Sequence, residues 1–225
     1  MNEPNIILTG FMATGKSSVG RAVARLLGRP FIDMDAVLVE RLGAPIADVF
    51  AQRGEAHFRQ AESALCRELS APSGAVVATG GGTIVNVENR LALSRGGLLI
   101  CLTCSPQEAL QRIADPTSRP MLHGDPAQRL LALFEERAPV YDAVPRQIDT
   151  TGLSVDQVAA RVVTIYERDR RDLVLPVRHD LGAYEIVHGD GVLGRCGHLL
   201  AQRGVHGRVA VVTNTVVGPL WAERV

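Results

Sequence analysis

The chain has 225 residues and 46% hydrophobic content, enough for one full domain and part of another. Lys plus Arg and Asp plus Glu stand at 24 each, which excludes the overall basic field that draws proteins to nucleic acid or anionic membranes. No apolar run approaches the roughly 20 residues of a bilayer span and no signal-type segment opens the chain, so the cytoplasm is the expected location.

In chain order, NIILTG reads as a first strand, followed by a helix over 16 to 27 and a second strand in PFIDMD. A helical insertion over 36 to 69, punctuated by Gly43 and Gly54, precedes the strand in GAVVATGGG; GLLICLT is the next strand. Ser105 and Pro106 then open a helix as cap and first-turn residue. ADPTSRPMLHGD, residues 114 to 125, holds two prolines and a glycine and reads as a loop or lid. A helix over 126 to 137, the short strand RQIDT and an amphipathic helix over 154 to 168 complete the pattern. Strands alternating with helices call for a parallel sheet covered by helices. Residues 1–168 are expected to form this domain, with 169–172, in the charge run ERDRRD, as a linker. Beyond it, residues 173–225 read as strands joined by glycine turns, a short helix and the strand RVAVVTN, an incomplete α/β segment.

GFMATGKS, residues 10 to 17, fits G-x-x-x-x-G-K-[ST] with a strand before it and a helix after it. Such a loop points backbone N–H groups and the positive end of a helix at one spot, which favours a polyphosphate. Ala13, Thr14, Gly15, Lys16, Ser17 and Ser18 are the expected ATP contacts, with Lys16 reaching the β- and γ-phosphates and Ser17 ligating the bridging magnesium. The cradle is silent about the phosphate acceptor.

Three further stretches address it. In FIDMD, Asp33 and Asp35 close the second strand, and in extended geometry both carboxylates share a face; helix-capping aspartates are an equal reading. In HFRQAE, Arg59 and Glu62 lie three apart on one helix face, the spacing of a surface ion pair as well as of a pocket. TGGGT, residues 79 to 83, strips side chains from three successive positions, so that a ligand can lie against the backbone, or the chain can simply turn. CLTC, residues 101 to 104, formally matches C-x-x-C, but it lies in a buried strand and no second Cys/His pair follows, so its cysteines read as small hydrophobes.

The cradle, FIDMD, FR-x-x-E, TGGG, SRP at 118 to 120 and ERAPVY at 136 to 141, in this order, resemble shikimate kinase over residues 4 to 168. The resemblance implies an α/β P-loop kinase with a five-stranded parallel sheet of order 2-3-1-4-5, flanked by helices and a lid, transferring phosphate from ATP to the 3-hydroxyl of shikimate. It implies that Asp35 binds the ring hydroxyls and accepts the proton, that Arg59 and Arg137 grip the carboxylate, and that Gly81 offers its N–H. It further implies that Asp33 acts on Mg2+ through water, that Arg119 neutralises the transferring phosphoryl group, and that Arg112 stacks near adenine. The family usually has glycine where this chain has Ala13. The kinase part is expected to be monomeric. From Leu173 onward, YEIVHGDGVLG and VAVVTNTVVGPLW resemble the beginning of 3-dehydroquinate synthase. This implies an N-terminal part of a kinase–synthase fusion, in which NAD, a divalent metal and dimerisation belong to a synthase part that continues beyond Val225. The rival readings are another small-molecule P-loop kinase, such as a gluconate kinase, and a nucleotide-binding module without turnover.

Overall fold

The computed structural model describes residues 3–113, 125–169, 173–179, 182–188, 192, 196–202, 204, 205 and 207. Their contacts divide into two units, Met1–Tyr166 and Glu167–Val225. The first is a five-stranded parallel sheet of order β2-β3-β1-β4-β5, the order implied by the motifs. Its strands are β1 Asn5–Thr9, β2 Phe31–Asp33, β3 Val76–Ala78, β4 Gly97–Thr103 and β5 Gln147–Asp149. Helices α1 Lys16–Leu27, α2 Met34–Leu42, α3 Ile46–Glu68, α4 Val87–Gly96, α5 Pro106–Arg112, α6 Pro126–Asp142 and α7 Val155–Asp169 cover it, with a 3₁₀ turn at Thr83–Val85. Among the described residues no helix is long and apolar enough to cross a membrane.

Strand alternation splits the core in two. Ile6 and Leu8 of β1 and Leu98, Ile100 and Leu102 of β4 pack with Val19, Val23, Val158 and Val162 from α1 and α7. Ile7, Leu99 and Cys101 face the other way, against Leu38, Phe58, Leu65, Leu93 and Leu130 from α2, α3, α4 and α6. Both faces of the sheet are therefore buried, as a parallel sheet requires, and each fully buried Leu or Ile contributes roughly 1.5–3 kcal/mol.

Local details differ from the sequence reading in three places. The second strand ends at Asp33, not Asp35: the Asp33 side chain accepts a hydrogen bond from Asp35 N at 3.2 Å and caps α2, which places Asp35 in the first helical turn. Helix α6 runs five residues past Arg137, through Pro139. Proline costs it one backbone hydrogen bond, offset by burial of Tyr141 and Val144 against the core. Cys104 lies beyond the end of β4 rather than within the strand, and it joins Cys101 in the same core cluster. Burial pushes the thiols of Cys66 and Cys101 up to about 12, so these cysteines behave as inert core residues. The glycine punctuation of the insertion holds: Gly43 ends α2 at φ 70, and Gly54, at φ 80 and ψ 160, breaks α3.

Within the first unit, the Arg29 guanidinium stacks 4.5 Å from the ring centroid of Tyr166 on α7 and is hydrogen-bonded to its hydroxyl. In the second unit, β6 Leu173–His179 and β7 Gly182–His188 form an antiparallel hairpin, followed by α8 Cys196–Gln202. The expected strand RVAVVTN lies outside the described residues.

Ala13 is the one non-glycine among the described residues with positive φ, at 61°. A left-handed conformation costs an L-residue about 1–2 kcal/mol, and glycine returns part of that as unfolded-chain entropy, roughly 0.5–1 kcal/mol. Ala13→Gly is therefore expected to stabilise the protein by roughly 0.5–1 kcal/mol, read as a higher urea midpoint at unchanged m-value. A lower midpoint would contradict strain at this turn.

Candidate active site

The loops that follow β1 and β3 open at the same carboxyl edge of the sheet, where ligands of open α/β sheets bind. After β1, residues 10 to 15 turn into α1, whose first residue is Lys16. The loop is fastened from within: Thr14 Oγ1 donates to Phe11 O at 2.9 Å, and Lys16 Nζ donates to Gly10 O at 2.9 Å and Phe11 O at 2.7 Å. Lys16 is thus buried and folded over its own loop, its ammonium held at the place where phosphate oxygens are expected.

A cavity of about 670 Å³ runs from this loop to the two pocket arginines. Ala13, Gly15, Lys16, Ser17 and Ser18 line it together with Asp35, Arg59, Glu62, Gly81 and Arg137. Val39, Ile46, Phe50 and Phe58 add an apolar wall. A second cavity of about 340 Å³ shares Ala13, Gly15 and Ser18 with the first and continues past Thr14, Arg112, Leu153 and Val158. Polar loop, apolar side and planar guanidinium make it a suitable pocket for a nucleobase.

Arg112 is fixed in that second cavity by several acceptors. Its Nη1 donates to Thr150 Oγ1 at 2.9 Å and to Ala13 O at 3.4 Å, and its Nη2 donates to Thr150 O at 2.9 Å and to the Glu108 carboxylate. The residue therefore ties the end of α5 to the phosphate loop and to the turn after β5. Arg119 lies outside the described residues.

In the larger cavity the two aspartates part company. Asp35 lines it, whereas Asp33 is not among its lining residues: one oxygen caps α2 and the other lies 3.9 Å from Arg21 Nη2. The strand-face expectation fails because a helix begins between the two residues.

Arg59 and Glu62 form more than a surface pair. Arg59 Nη1 donates to Glu62 Oε2 at 2.9 Å, and Nε and Nη2 donate to Glu55 Oε1 at 3.1 and 3.0 Å. Burial alone would lower the Arg59 pKa, but Glu62 and Glu55 hold it above its ordinary value. The Glu62 side chain is buried, and its other oxygen accepts from Thr83 Oγ1 at 2.7 Å. A buried carboxylate is stable only when charge-paired and hydrogen-bonded, so Glu62 serves as the fixed post against which Arg59 is set.

The glycine triplet makes room for both groups. A Cβ on Gly80 would stand 2.8 Å from Asp35 Oδ1 and 3.2 Å from Glu62 Oε1; one on Gly82 would meet Arg59 Nη2 at 3.2 Å and Arg137 Nη1 at 3.3 Å. A Cβ at Gly80 would therefore force the Asp35 carboxylate to shift, and one at Gly82 would press on both guanidiniums. Arg137, on α6, is 7% exposed; its Nη1 lies 3.4 Å from Gly81 O and its buried Nε has no hydrogen-bond partner. An unpartnered buried donor on a charged fork, next to a second guanidinium, is suited to a ligand carboxylate.

Sequence reading brought together Lys16, Ser17, Asp35, Arg59, Gly81 and Arg137, which share this cavity. It missed the parts played by Glu62, Thr83 and Tyr141. The Arg59–Glu62 spacing was visible, but burial of the carboxylate was not; Tyr141 is four residues after Arg137, a helical spacing that Pro139 concealed.

Comparison with known proteins places the chain in a family. The shikimate kinase family model matches residues 12–167. The chain is 47% identical over 146 residues to a shikimate kinase of Desulforudis audaxviator, covering 65% of this chain and 77% of that one. It is 43% identical over 164 residues to a shikimate kinase of Geobacter metallireducens, covering 72% and 92%. The structure of Acinetobacter baumannii shikimate kinase in complex with shikimate matches with a TM-score of 0.71 at 35% identity, covering 75% of this chain and 95% of that one. With its phosphate loop, its sheet order and its pair of cavity arginines, this chain belongs to the shikimate kinase family of P-loop transferases.

Proposed function

We propose that the protein transfers the γ-phosphoryl group of ATP to the 3-hydroxyl of shikimate, yielding shikimate 3-phosphate and ADP in chorismate and aromatic amino acid biosynthesis. The observation that carries this reading is the single cavity joining Lys16 and Ser17 to Asp35 and to the Arg59–Arg137 pair. It offers a phosphate cradle, a carboxylate and a carboxylate-binding fork to one small hydroxylated acid. The shikimate-bound relative from Acinetobacter baumannii supports the choice of acid.

In this reading Arg59 and Arg137 bind the substrate carboxylate as planar forks, with the Gly81 N–H alongside. Asp35 binds the ring hydroxyls and takes the proton of the attacking hydroxyl as its oxygen bonds to phosphorus. The bond from phosphorus to the bridging oxygen breaks and ADP leaves. Lys16, freed from the loop carbonyls, and Arg119 face the charge on the transferring group. Arg112 stacks on adenine. Ser17 would hold the magnesium directly, and Asp33 would do so through water; these are hard oxygen donors of the kind magnesium takes when phosphates and water supply the rest. Bound there, magnesium would supply charge neutralisation between the phosphates. Asp33 would have to share its carboxylate between that water and the α2 cap.

We further propose that residues 1–168 are the kinase domain, 169–172 a linker and 173–225 a 3-dehydroquinate synthase-like part of a fused protein, on the resemblance of YEIVHGDGVLG and VAVVTNTVVGPLW. The division of contacts near Tyr166 and the β6–β7 hairpin are in keeping with it. NAD and a second divalent metal would enter only with the rest of such a synthase, as would dimerisation; the kinase domain is taken as a monomer. A cytoplasmic location fits ATP as donor.

Incubation with ATP, magnesium and either shikimate or gluconate should release ADP with shikimate; release with gluconate alone would overturn the assignment, and tight ATP binding with no turnover on either acid would point to a nucleotide-binding module. Lys16→Ala should lower kcat by roughly a hundred- to a thousandfold. Arg137→Ala should raise KM for shikimate by roughly ten- to a hundredfold, the worth of a charged hydrogen bond, with a smaller change in kcat. An unchanged KM would remove Arg137 from the carboxylate site. Deletion of the residues after Asp172 should leave kinase activity intact, because the Arg29–Tyr166 contact that fastens α7 is retained; loss of activity would assign the tail to the kinase domain.

A further inference from the structure

Helix α6 sends two side chains, one turn apart, to a single backbone oxygen. The Tyr141 hydroxyl donates to Gly81 O, and Arg137 Nη1 reaches the same oxygen only at 3.4 Å. Tyr141 is buried, its ring set edge-on to Phe11 with centroids 6.4 Å apart. Burial pushes its hydroxyl up to about 12, so it remains a protonated donor throughout the working pH range. The Arg137 Nε, equally buried, is left without an acceptor.

We propose that Tyr141 is a positioning residue for substrate binding, which occupies the Gly81 carbonyl so that the Arg137 guanidinium stays available to the substrate carboxylate. The physical ground is competition for one acceptor. A buried guanidinium seeks oxygen wherever it is offered, and Arg137 Nη1 lies within reach of the Gly81 carbonyl. With the tyrosine bond in place, that carbonyl is engaged and the arginine contact is long and weak. Without the hydroxyl, Arg137 Nη1 closes on the carbonyl, and substrate must break that bond before the fork can receive it. The same bond holds the planar Gly81–Gly82 peptide in the orientation that leaves the Gly82 position open for both guanidiniums, where a Cβ would stand 3.2 to 3.3 Å from them. Tyr141 thus acts through Gly81 and Arg137 and need not touch substrate. This inference rests on the shikimate reading of the cavity.

The test is a double-mutant cycle in the full chain, scored by shikimate-dependent ADP release and by ADP affinity. Tyr141→Phe should raise KM for shikimate roughly five- to tenfold, the size of one rearranged hydrogen bond, while kcat, KM for ATP and ADP affinity change less than about twofold. In an Arg137→Ala background the same substitution should have almost no effect on KM, because there is no guanidinium left to sequester. An unchanged KM in Tyr141→Phe would overturn the proposal. So would an equal effect in both backgrounds, or a joint loss of ADP affinity and shikimate turnover, each of which would mark Tyr141 as a packing residue. Absence of shikimate turnover in the parent protein would instead defeat the assigned reaction, an outcome distinguishable from the other three.

Discussion

The parallel register of β1 with β3 and β4 is the constraint on which the site depends. Ile6, Ile7 and Leu8 pair with Val76, Val77 and Ala78 on one side and with Leu98, Leu99 and Ile100 on the other. Because the strands run the same way, the phosphate loop after β1 and the glycine triplet after β3 emerge side by side at one edge. A shift of one residue in β3 would exchange its two buried faces and carry Gly80, Gly81 and Gly82 out of line with Asp35 and the two arginines. Catalytic geometry here is a consequence of sheet geometry.

Onto that edge the chain brings charge of both signs. One cavity gathers the loop N–H groups and Lys16, the carboxylates of Asp35 and Glu62, and the guanidiniums of Arg59 and Arg137. A small acid that carries both a carboxylate and hydroxyls matches this set of charges when a polyphosphate occupies the loop. The glycine triplet separates the groups sterically without neutralising them, and Glu62 spends its charge on Arg59 and Thr83 rather than on ligand.

Much of this was legible in the sequence, for reasons that differ by element. Helix α1 was readable to the residue because the loop signature fixes its start and Gly28 its end. The sheet order came from motif resemblance, since periodicity alone does not order strands. The role of Asp33 as an α2 cap was one of two open readings, and the choice required knowing that a helix starts at Met34. The length of α6 was hidden because proline penalises a helix locally, whereas the gain from burying Tyr141 is tertiary. The same holds for Arg112: its stacking role was expected by resemblance, but its bonds to Ala13 O and Thr150 join residues 99 and 38 positions apart, beyond any local pattern.

The posture of Lys16 bears on how a catalytic cycle ends. In the proposed reaction a departing nucleotide would leave the Lys16 ammonium in a buried place, and an unsolvated cation there would hold the product back. Gly10 O and Phe11 O stand ready to receive it. A loop that grips phosphate in the proposed reaction would thus carry its own substitute for phosphate, and the escape of ADP would not wait for water to fill the cradle.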